Sequence, residues 1–242
     1  MGDALTSRQT QILKALIDEY IETAEPVGSE FLEKKHNLGV SSATIRNEMA
    51  SLTQMGYLRQ PHTSAGRMPT PKAMKFYIAQ LMEEKQLSLA EEVKMKEEVL
   101  SVKDNIDKLM DEAVEILADR TKSLSVGIID DGRTWYAGMA NVFSNPEFND
   151  LSLCTGVFSF LDQEENLMEI FFRRFAGSSP VEILFGDDLG WPNLEPVGIV
   201  ATHFNLRDHQ GALGIIGPMR LSYPRVIPLL RYFGNVIEQA IV

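Results

Sequence analysis

Thiols are almost missing from this 242-residue chain: Cys154 stands alone. That excludes an intramolecular disulfide and leaves too few sulfur ligands for a cysteine zinc site. The four histidines, at 36, 62, 203 and 209, are scattered in sequence and do not make up the deficit, so neither a metal nor a cofactor is expected. No run approaches the roughly 20 apolar residues that a membrane helix requires. The opening stretch from Met1 to Leu16 is polar and periodic, unlike a secretory signal. The expectation is a cytoplasmic protein without a membrane partner. Gly214 to Gly217 has the look of a glycine-rich loop, but no G-x-x-x-x-G-K-S/T pattern follows, and it reads better as a strand end. The carboxylate pairs Asp130-Asp131 and Asp187-Asp188 each adjoin a glycine and read as turn acids rather than acid-base dyads. Cys154, set among Leu153, Val157 and Phe158, reads as a buried core thiol before a redox sensor. With no convergent constellation, no catalytic residue is assigned and the chain is not expected to be an enzyme.

Positive charge is also in short supply, with 23 Lys and Arg against 34 Asp and Glu and a net charge of −11. That sum argues against a nucleic-acid binder, but its distribution does not. From Lys34 to Lys75 seven basic residues (Lys34, Lys35, Arg46, Arg59, Arg67, Lys72, Lys75) face one acid, Glu48. The segment therefore carries +6 and the rest of the chain −17 of the total −11. Attraction to phosphate is screened beyond about 8 Å in physiological salt, so a local basic patch can bind DNA on an acidic protein. The alternative is a chance cluster of solvated charges. What is plentiful is ordinary globular composition, 44% hydrophobic and 24% charged, in a length that suits two domains.

Apolar residues Ile12, Leu13, Leu16, Ile17, Tyr20 and Ile21 recur at helical spacing, with Thr6 or Ser7 as N-cap. Pro26 and Gly28 break the chain, and Ser29 opens a short second helix that stops near Asn37-Leu38-Gly39. Ser41 or Ser42 caps a third helix, which runs to Met55 and is ended by Gly56. Its Ile45, Met49 and Leu52 share one face, leaving Ser42, Ala43, Arg46 and Asn47 outward. This is a helix-turn-helix pattern, whose second helix enters the major groove, although a plain three-helix core has the same periodicity. Arg can address guanine bidentately, and Asn adenine. Tyr57 to Gln60 reads as a strand, Pro61 to Gly66 as a turn and Arg67 to Thr70 as a returning strand. That is a wing, or else a plain surface hairpin. A helix from Pro71, with Met74, Tyr77, Ile78 and Leu81 inward, closes the domain.

Four blocks in this order, Leu5-Thr-Ser-Arg-Gln, Ala24-Glu-Pro-Val-Gly-Ser29, Ser41-Ser-Ala-Thr-Ile-Arg-Asn-Glu-Met-Ala50 and Gln60-Pro-His-Thr-Ser-Ala-Gly-Arg-Met-Pro-Thr70, closely resemble the HrcA family of bacterial heat-inducible transcription repressors. The resemblance implies a dimer that binds double-stranded DNA at an inverted-repeat operator, the CIRCE element, before chaperone operons. It further implies release on heat stress and support of the active repressor by the GroEL chaperonin. Carried over residue by residue, it places Ser41, Ser42, Thr44, Arg46 and Asn47 on the recognition helix. Arg59, His62, Thr63, Ser64, Gly66, Arg67 and Lys72 fall on the wing and its flanks. One departure is Lys72-Ala-Met-Lys75, where the family commonly has a Gly-aromatic-basic run.

From Ser88 to Leu124 the sequence is charged, free of Pro and Gly, and helical. Met95, Val99, Val102, Ile106, Leu109, Ala113 and Ile116 form a heptad seam, whose partner is either another helix of the chain or the same helix of a second subunit. Val99, Val102, Ile106, Leu109 and Ile116 are the dimerisation candidates. Beyond it, strands are expected at Leu124–Ile129, Trp135–Val142, Val181–Phe185, Val197–Phe204 and Gly211–Ile216. Helices are expected at Leu151–Phe172 and Pro224–Ile241. The expected fold is α+β: a winged helix-turn-helix domain (1–85), a long linker or dimerisation helix (86–122) and a GAF-like α/β domain (123–242). Gly138 to Phe148 and Gly211 to Tyr223 resemble the family's C-terminal blocks. Family members are much longer and carry an inserted dimerisation domain, whereas here Ile129 reaches Trp135 through a tight turn. The competing function is a ligand-sensing or protein-interaction module that has lost operator binding; it predicts an eroded recognition helix and wing, and both are intact by residue type.

Overall fold

The computed structural model describes residues 5–175, 179–191, 194–206 and 208–241. The first four residues of the polar N-terminal stretch and the side chain of Asp187 lie outside the described residues. The chain divides into two compact units, residues 1–83 and 84–242.

In the first unit, α1 (Ser7–Thr23) begins at Thr6, whose hydroxyl accepts from Gln9 N–H while the Gln9 amide oxygen accepts from Thr6 N–H. Two of the free amides at the helix start are satisfied in this way. Of its expected apolar face, Ile12, Leu13, Leu16, Ile17 and Tyr20 are buried and Ile21 is half-buried. Next come α2 (Ser29–Lys35), α3 (Ser42–Gln54), the strand pair β1 (Leu58–Arg59) and β2 (Met68–Pro69), and α4 (Pro71–Phe76). Past Phe76 the helix widens into a π-helical turn, Tyr77–Leu81. Met74 and Tyr77 are therefore buried as the periodicity requires, but Ile78 and Leu81 are only half-buried. The Tyr77 hydroxyl donates to Asp18 at 2.6 Å and ties this turn to α1.

The second unit starts with a correction. Instead of one helix from Ser88 to Leu124, two form, α5 (Leu89–Leu100) and α6 (Ile106–Thr121). The break falls where Asn105 caps α6, its side chain accepting from Lys108 N–H at 3.0 Å. α5 folds back on α6 and both pack on the C-terminal helix, so the segment 86–122 is part of the second unit rather than a free linker. The heptad seam is filled within the chain: Met95, Val99, Leu109 and Ala113 are fully buried, and Val102, Ile106 and Ile116 are half-buried.

Strands β3 (Leu124–Ile129) and β4 (Thr134–Ala137) follow, then helices α7 (Met139–Val142), α8 (Leu151–Leu161) and α9 (Glu164–Met168). The remaining elements are β5 (Glu182–Phe185), the short α10 (Gly186–Leu189), β6 (Val197–Leu206), β7 (His209–Pro218) and α11 (Tyr223–Ile241). The five strands run antiparallel in the order β4-β3-β7-β6-β5. Both sheet faces are covered, which is why β3, β6 and β7 read as nearly unbroken apolar runs. Leu124, Val126 and Ile128 join Ile199, Ala212 and Ile216 in the core with Phe160, Leu167 and Phe171 from the α8–α9 side. On the opposite face α6 and α11 cover the sheet. At Gly214 a Cβ would come within 2.5 Å of the Phe171 ring, so the absent side chain is the space that ring fills.

Two boundary expectations are corrected. The strand expected at Trp135–Val142 stops at Ala137, because Gly138 takes a left-handed φ of 76° and starts a helical turn. Asn141 secures that turn by donating to the carbonyls of Ala118 and Ser123. The helix expected over Leu151–Phe172 breaks after Leu161, restarts as α9 and ends in a π-helical turn, Glu169–Arg174.

α11 contains Pro228, which has no N–H to give to the carbonyl of Pro224. The backbone N–H of Lys85 fills the vacancy at 2.8 Å. Beside it Arg231 holds Glu84 in a two-pronged pair at 2.8 and 2.9 Å, and Tyr232 donates to the carbonyl of Glu92. The Arg231 bonds hold the Glu84 carboxyl below the ordinary carboxylate range. A helix defect thus becomes the docking point for the start of the unit.

The carboxylate pair at the β3–β4 turn is spent on structure. Asp130 accepts from His209 at 2.7 Å and from Gln210 N–H, and Asp131 accepts from Arg133. Asp188 accepts from Phe185 N–H, and the buried Cys154 thiol donates to the Phe148 carbonyl at 3.0 Å. No helix among the described residues is long and apolar enough to cross a membrane.

Candidate nucleic-acid interface

Three pieces of the first unit build the candidate surface: the start of α2, the exposed side of α3 and the β1–β2 hairpin. α3 begins as expected, the Ser41 hydroxyl accepting from Thr44 N–H at 3.4 Å and lying 3.2 Å from the Thr44 hydroxyl. Ser41 and Thr44, both candidate DNA contacts, thus also make the cap, and Ser42 is half-buried beside them. Ile45, Met49 and Leu52 are buried, so the helix can turn only its other side outward. That side carries Arg46 and Asn47, both exposed. Glu30 of α2 lies 3.8 Å from the Arg46 guanidinium, whose side chain is 69% exposed. At that distance there is no hydrogen bond to break before the guanidinium meets a base edge.

The hairpin is held against the helices by backbone. Val27 and Arg67 exchange both N–H···O bonds at 2.9 Å, adding a third short extended segment to β1 and β2. Gly66 is required at this crossing: a Cβ there would lie 2.4 Å from the carbonyl carbon and oxygen of Val27. At the tip, the Gln60 amide donates to the carbonyls of Thr63 and Ala65, both at 2.9 Å, and the Ser64 hydroxyl lies 3.3 Å from His62 Nδ1. His62, Thr63 and Ser64 remain exposed.

The basic residues divide by task. Arg59 is exposed on β1 and makes no ion pair among the described residues. Arg67 is half-buried and donates through Nε to Thr53 at 3.2 Å, linking hairpin to α3. Lys72 donates to the Met55 carbonyl at 2.7 Å and sits 4.3 Å above the Tyr57 ring. Its charge therefore rests at the C-terminal end of α3, where a cation favours the helix dipole. Lys35 and His36 both bond the buried carboxylate of Glu19 at 2.8 Å. Burial alone would raise the Glu19 pKa, but these bonds outweigh it and hold it below the ordinary value.

Arg46, Arg67, Gln60 and Ser64 share one open groove of about 740 Å³ with Phe31 and Lys34 of α2. Neither Lys34 nor Gln60 was among the sequence candidates. Lys34 was visible as part of the basic run; nothing in the residue pattern marks the Gln60 amide as the brace of the loop.

An exposed, capped helix carrying Arg and Asn, with a pinned hairpin beside it, defines the chain as a winged-helix DNA-binding protein. The family profile described as "Winged helix-turn-helix transcription repressor, HrcA DNA-binding" matches residues 4–83, and that of the "HrcA protein C terminal domain" matches residues 69–227. A heat-inducible transcription repressor HrcA of Carboxydothermus hydrogenoformans is 25% identical over 338 positions, covering 98% of each chain. That span exceeds the 242 residues of this chain, so the relative carries residues with no counterpart here. The same repressor of Acetivibrio thermocellus is 48% identical over 136 residues, 56% of this chain and 35% of the relative. A crystal structure described only as a hypothetical protein at 2.2 Å resolution superposes with a TM-score of 0.75 at 18% identity, covering 98% of this chain and 97% of the other. This chain belongs to the HrcA family of transcription repressors.

Proposed function

We propose that the protein binds, as a two-fold homodimer, an inverted-repeat operator of the CIRCE type before chaperone operons. Heat relieves the repression, and the GroEL chaperonin supports the active state. The site of action is the cytoplasm. The observation that carries this reading is the pairing of exposed Arg46 and Asn47 on a capped α3 with a hairpin locked to Val27. A helix so placed reads base edges in the major groove, and the hairpin reaches the adjacent backbone or minor groove. Arg46 is assigned to guanine, Asn47 to adenine, and Arg59 with the tip residues His62, Thr63 and Ser64 to phosphate. A single head covers one half-site, so a palindromic operator needs two heads related by a two-fold axis.

The test is fluorescence anisotropy against a labelled inverted repeat, one half-site and a random duplex across a salt series. The expected result is tight, salt-sensitive preference for the full repeat. Equal weak binding to all three overturns the reading.

A further inference from the structure

The outer face of α5 is apolar and uncovered. Leu89 and Val93 are 76% and 48% exposed, and Leu100 is half-buried. These positions, spaced by four and seven, form one strip about a third of a turn around the helix from the fully buried Met95 and Val99. Between Val93 and Leu100 stand Lys96 and Glu97, and all four line one shallow concavity with Ser101. Both charges are exposed, and neither makes an ion pair among the described residues.

We propose that this face is where a second copy of the chain docks, its α5 antiparallel to the first, with the two-fold axis passing between Lys96 and Glu97. The proposal rests on the dimeric reading of operator binding above and supplies the surface for it. The order of charges selects the orientation. A parallel pair would set Lys96 against Lys96 and Glu97 against Glu97. The antiparallel pair sets each Lys96 against the other chain's Glu97 and each Val93 against the other Leu100. The surface is therefore self-complementary, as a two-fold contact must be. No internal partner competes for it, because the inward seam of α5 is already filled by its own chain.

The contact is small. A helix of 12 residues is about 18 Å long and about 10 Å across, a footprint of roughly 180 Å², well short of the roughly 800 Å² per partner that a standard interface buries. The free protein is then a weak, concentration-dependent dimer, and two adjacent half-sites supply the effective concentration that completes pairing.

The test is sedimentation velocity of the full chain over a concentration series, with thermal unfolding of every variant as the control for folding. Val93→Asp sets an unpaired charge against the other chain's Leu100 and Lys96→Glu sets like charges against its Glu97, so each is expected to weaken association by at least ~10-fold. The double exchange K96E/E97K restores the opposite-sign pairs and is expected to return association to within ~3-fold of the parent. A monomer up to about 200 micromolar, an unchanged dimer in Val93→Asp, or no recovery in the double exchange overturns the surface. The operator assay separates the two readings. Full-repeat preference that survives Val93→Asp removes this surface and leaves dimeric operator binding in place. Loss of the dimer in Val93→Asp, in a protein that never preferred the full repeat, supports the surface and removes the operator reading.

Discussion

Arg220 clasps Glu147 across 73 residues of sequence, Nε to Oε1 at 2.6 Å and Nη2 to Oε2 at 3.0 Å. The same Nη2 donates to Asn145 Oδ1 at 3.2 Å, and the two charged side chains are only 12% and 16% exposed. The clasp joins the two C-terminal blocks through which the sequence resembles the family. Removing one partner leaves the other charge poorly hydrated, so Arg220→Ala and Glu147→Ala should each destabilise the protein by roughly 3 kcal/mol. The double variant should lose less than the sum of the two. Urea denaturation of the full chain measures both; additive losses would show that the pair does not act as a unit.

Gly66→Ala tests the hairpin crossing. The new Cβ has only backbone to meet, 2.4 Å away at Val27, so the paired segments must separate. We expect about 1–3 kcal/mol of lost stability together with weaker binding to every DNA sequence, read by thermal unfolding and anisotropy. Ordinary DNA affinity in this variant would show that the hairpin need not be docked.

Base readers and phosphate contacts should separate by sequence dependence. Arg46→Ala and Asn47→Ala are expected to cost roughly 1–3 kcal/mol each on the operator and little on random duplex. Arg59→Ala should weaken all sequences alike and lower the salt slope by about 1. Lys72→Ala should also weaken all sequences alike. Because its ammonium holds the Met55 carbonyl, it should lower the unfolding temperature as well. Equal loss on operator and random DNA in Arg46→Ala would remove its assignment as a base reader.

Acid should loosen the first unit through Glu19. Its folded pKa is lowered from the ordinary 4.5 by the Lys35 and His36 bonds, despite its burial. A depressed carboxylate contributes stability that is fully present above the unfolded pKa and is lost as pH falls through the folded value. Unfolding temperature should therefore decline as pH drops below about 4.5. Glu19→Gln should flatten that decline in a melting series, and an unchanged slope would assign it to other groups.

Pro228→Ala restores an N–H to α11 and lets it bond the Pro224 carbonyl in place of Lys85. The Lys85 amide should then exchange with solvent about 5-fold faster, the equivalent of one lost hydrogen bond of about 1 kcal/mol. Hydrogen exchange resolved at Lys85 checks this; unaltered protection would mean that Arg231 and Tyr232 hold the segment without that bond.

The parts of the site that were legible in sequence are those with local causes. Ser41 before an apolar-periodic run marks the start of α3, and the spacing of Ile45, Met49 and Leu52 dictates which side Arg46 and Asn47 take. What escaped depends on partners distant in the chain. Lys72 reads as a free cation until the Met55 carbonyl lies beside it, and Gln60 reads as a solvated amide until the loop closes over it. The helix expected from Ser88 to Leu124 failed for a related reason. A heptad seam specifies an apolar face, but it does not say whether the covering helix belongs to another subunit or follows a five-residue break at Ser101–Asn105.

By itself the sequence determined the caps of α1 and α3, the helix periods and the charge contrast between the segment around α3 and the rest. Each of these is set within a few residues by backbone and side-chain chemistry. Only the tertiary structure decided the long-range closures: Arg67 on Val27, Arg220 on Glu147, Lys85 in the vacancy left by Pro228, and α5 folded onto α6 with its other face open. Those depend on which distant groups satisfy one another's hydrogen bonds and apolar surface, and no local pattern encodes that choice.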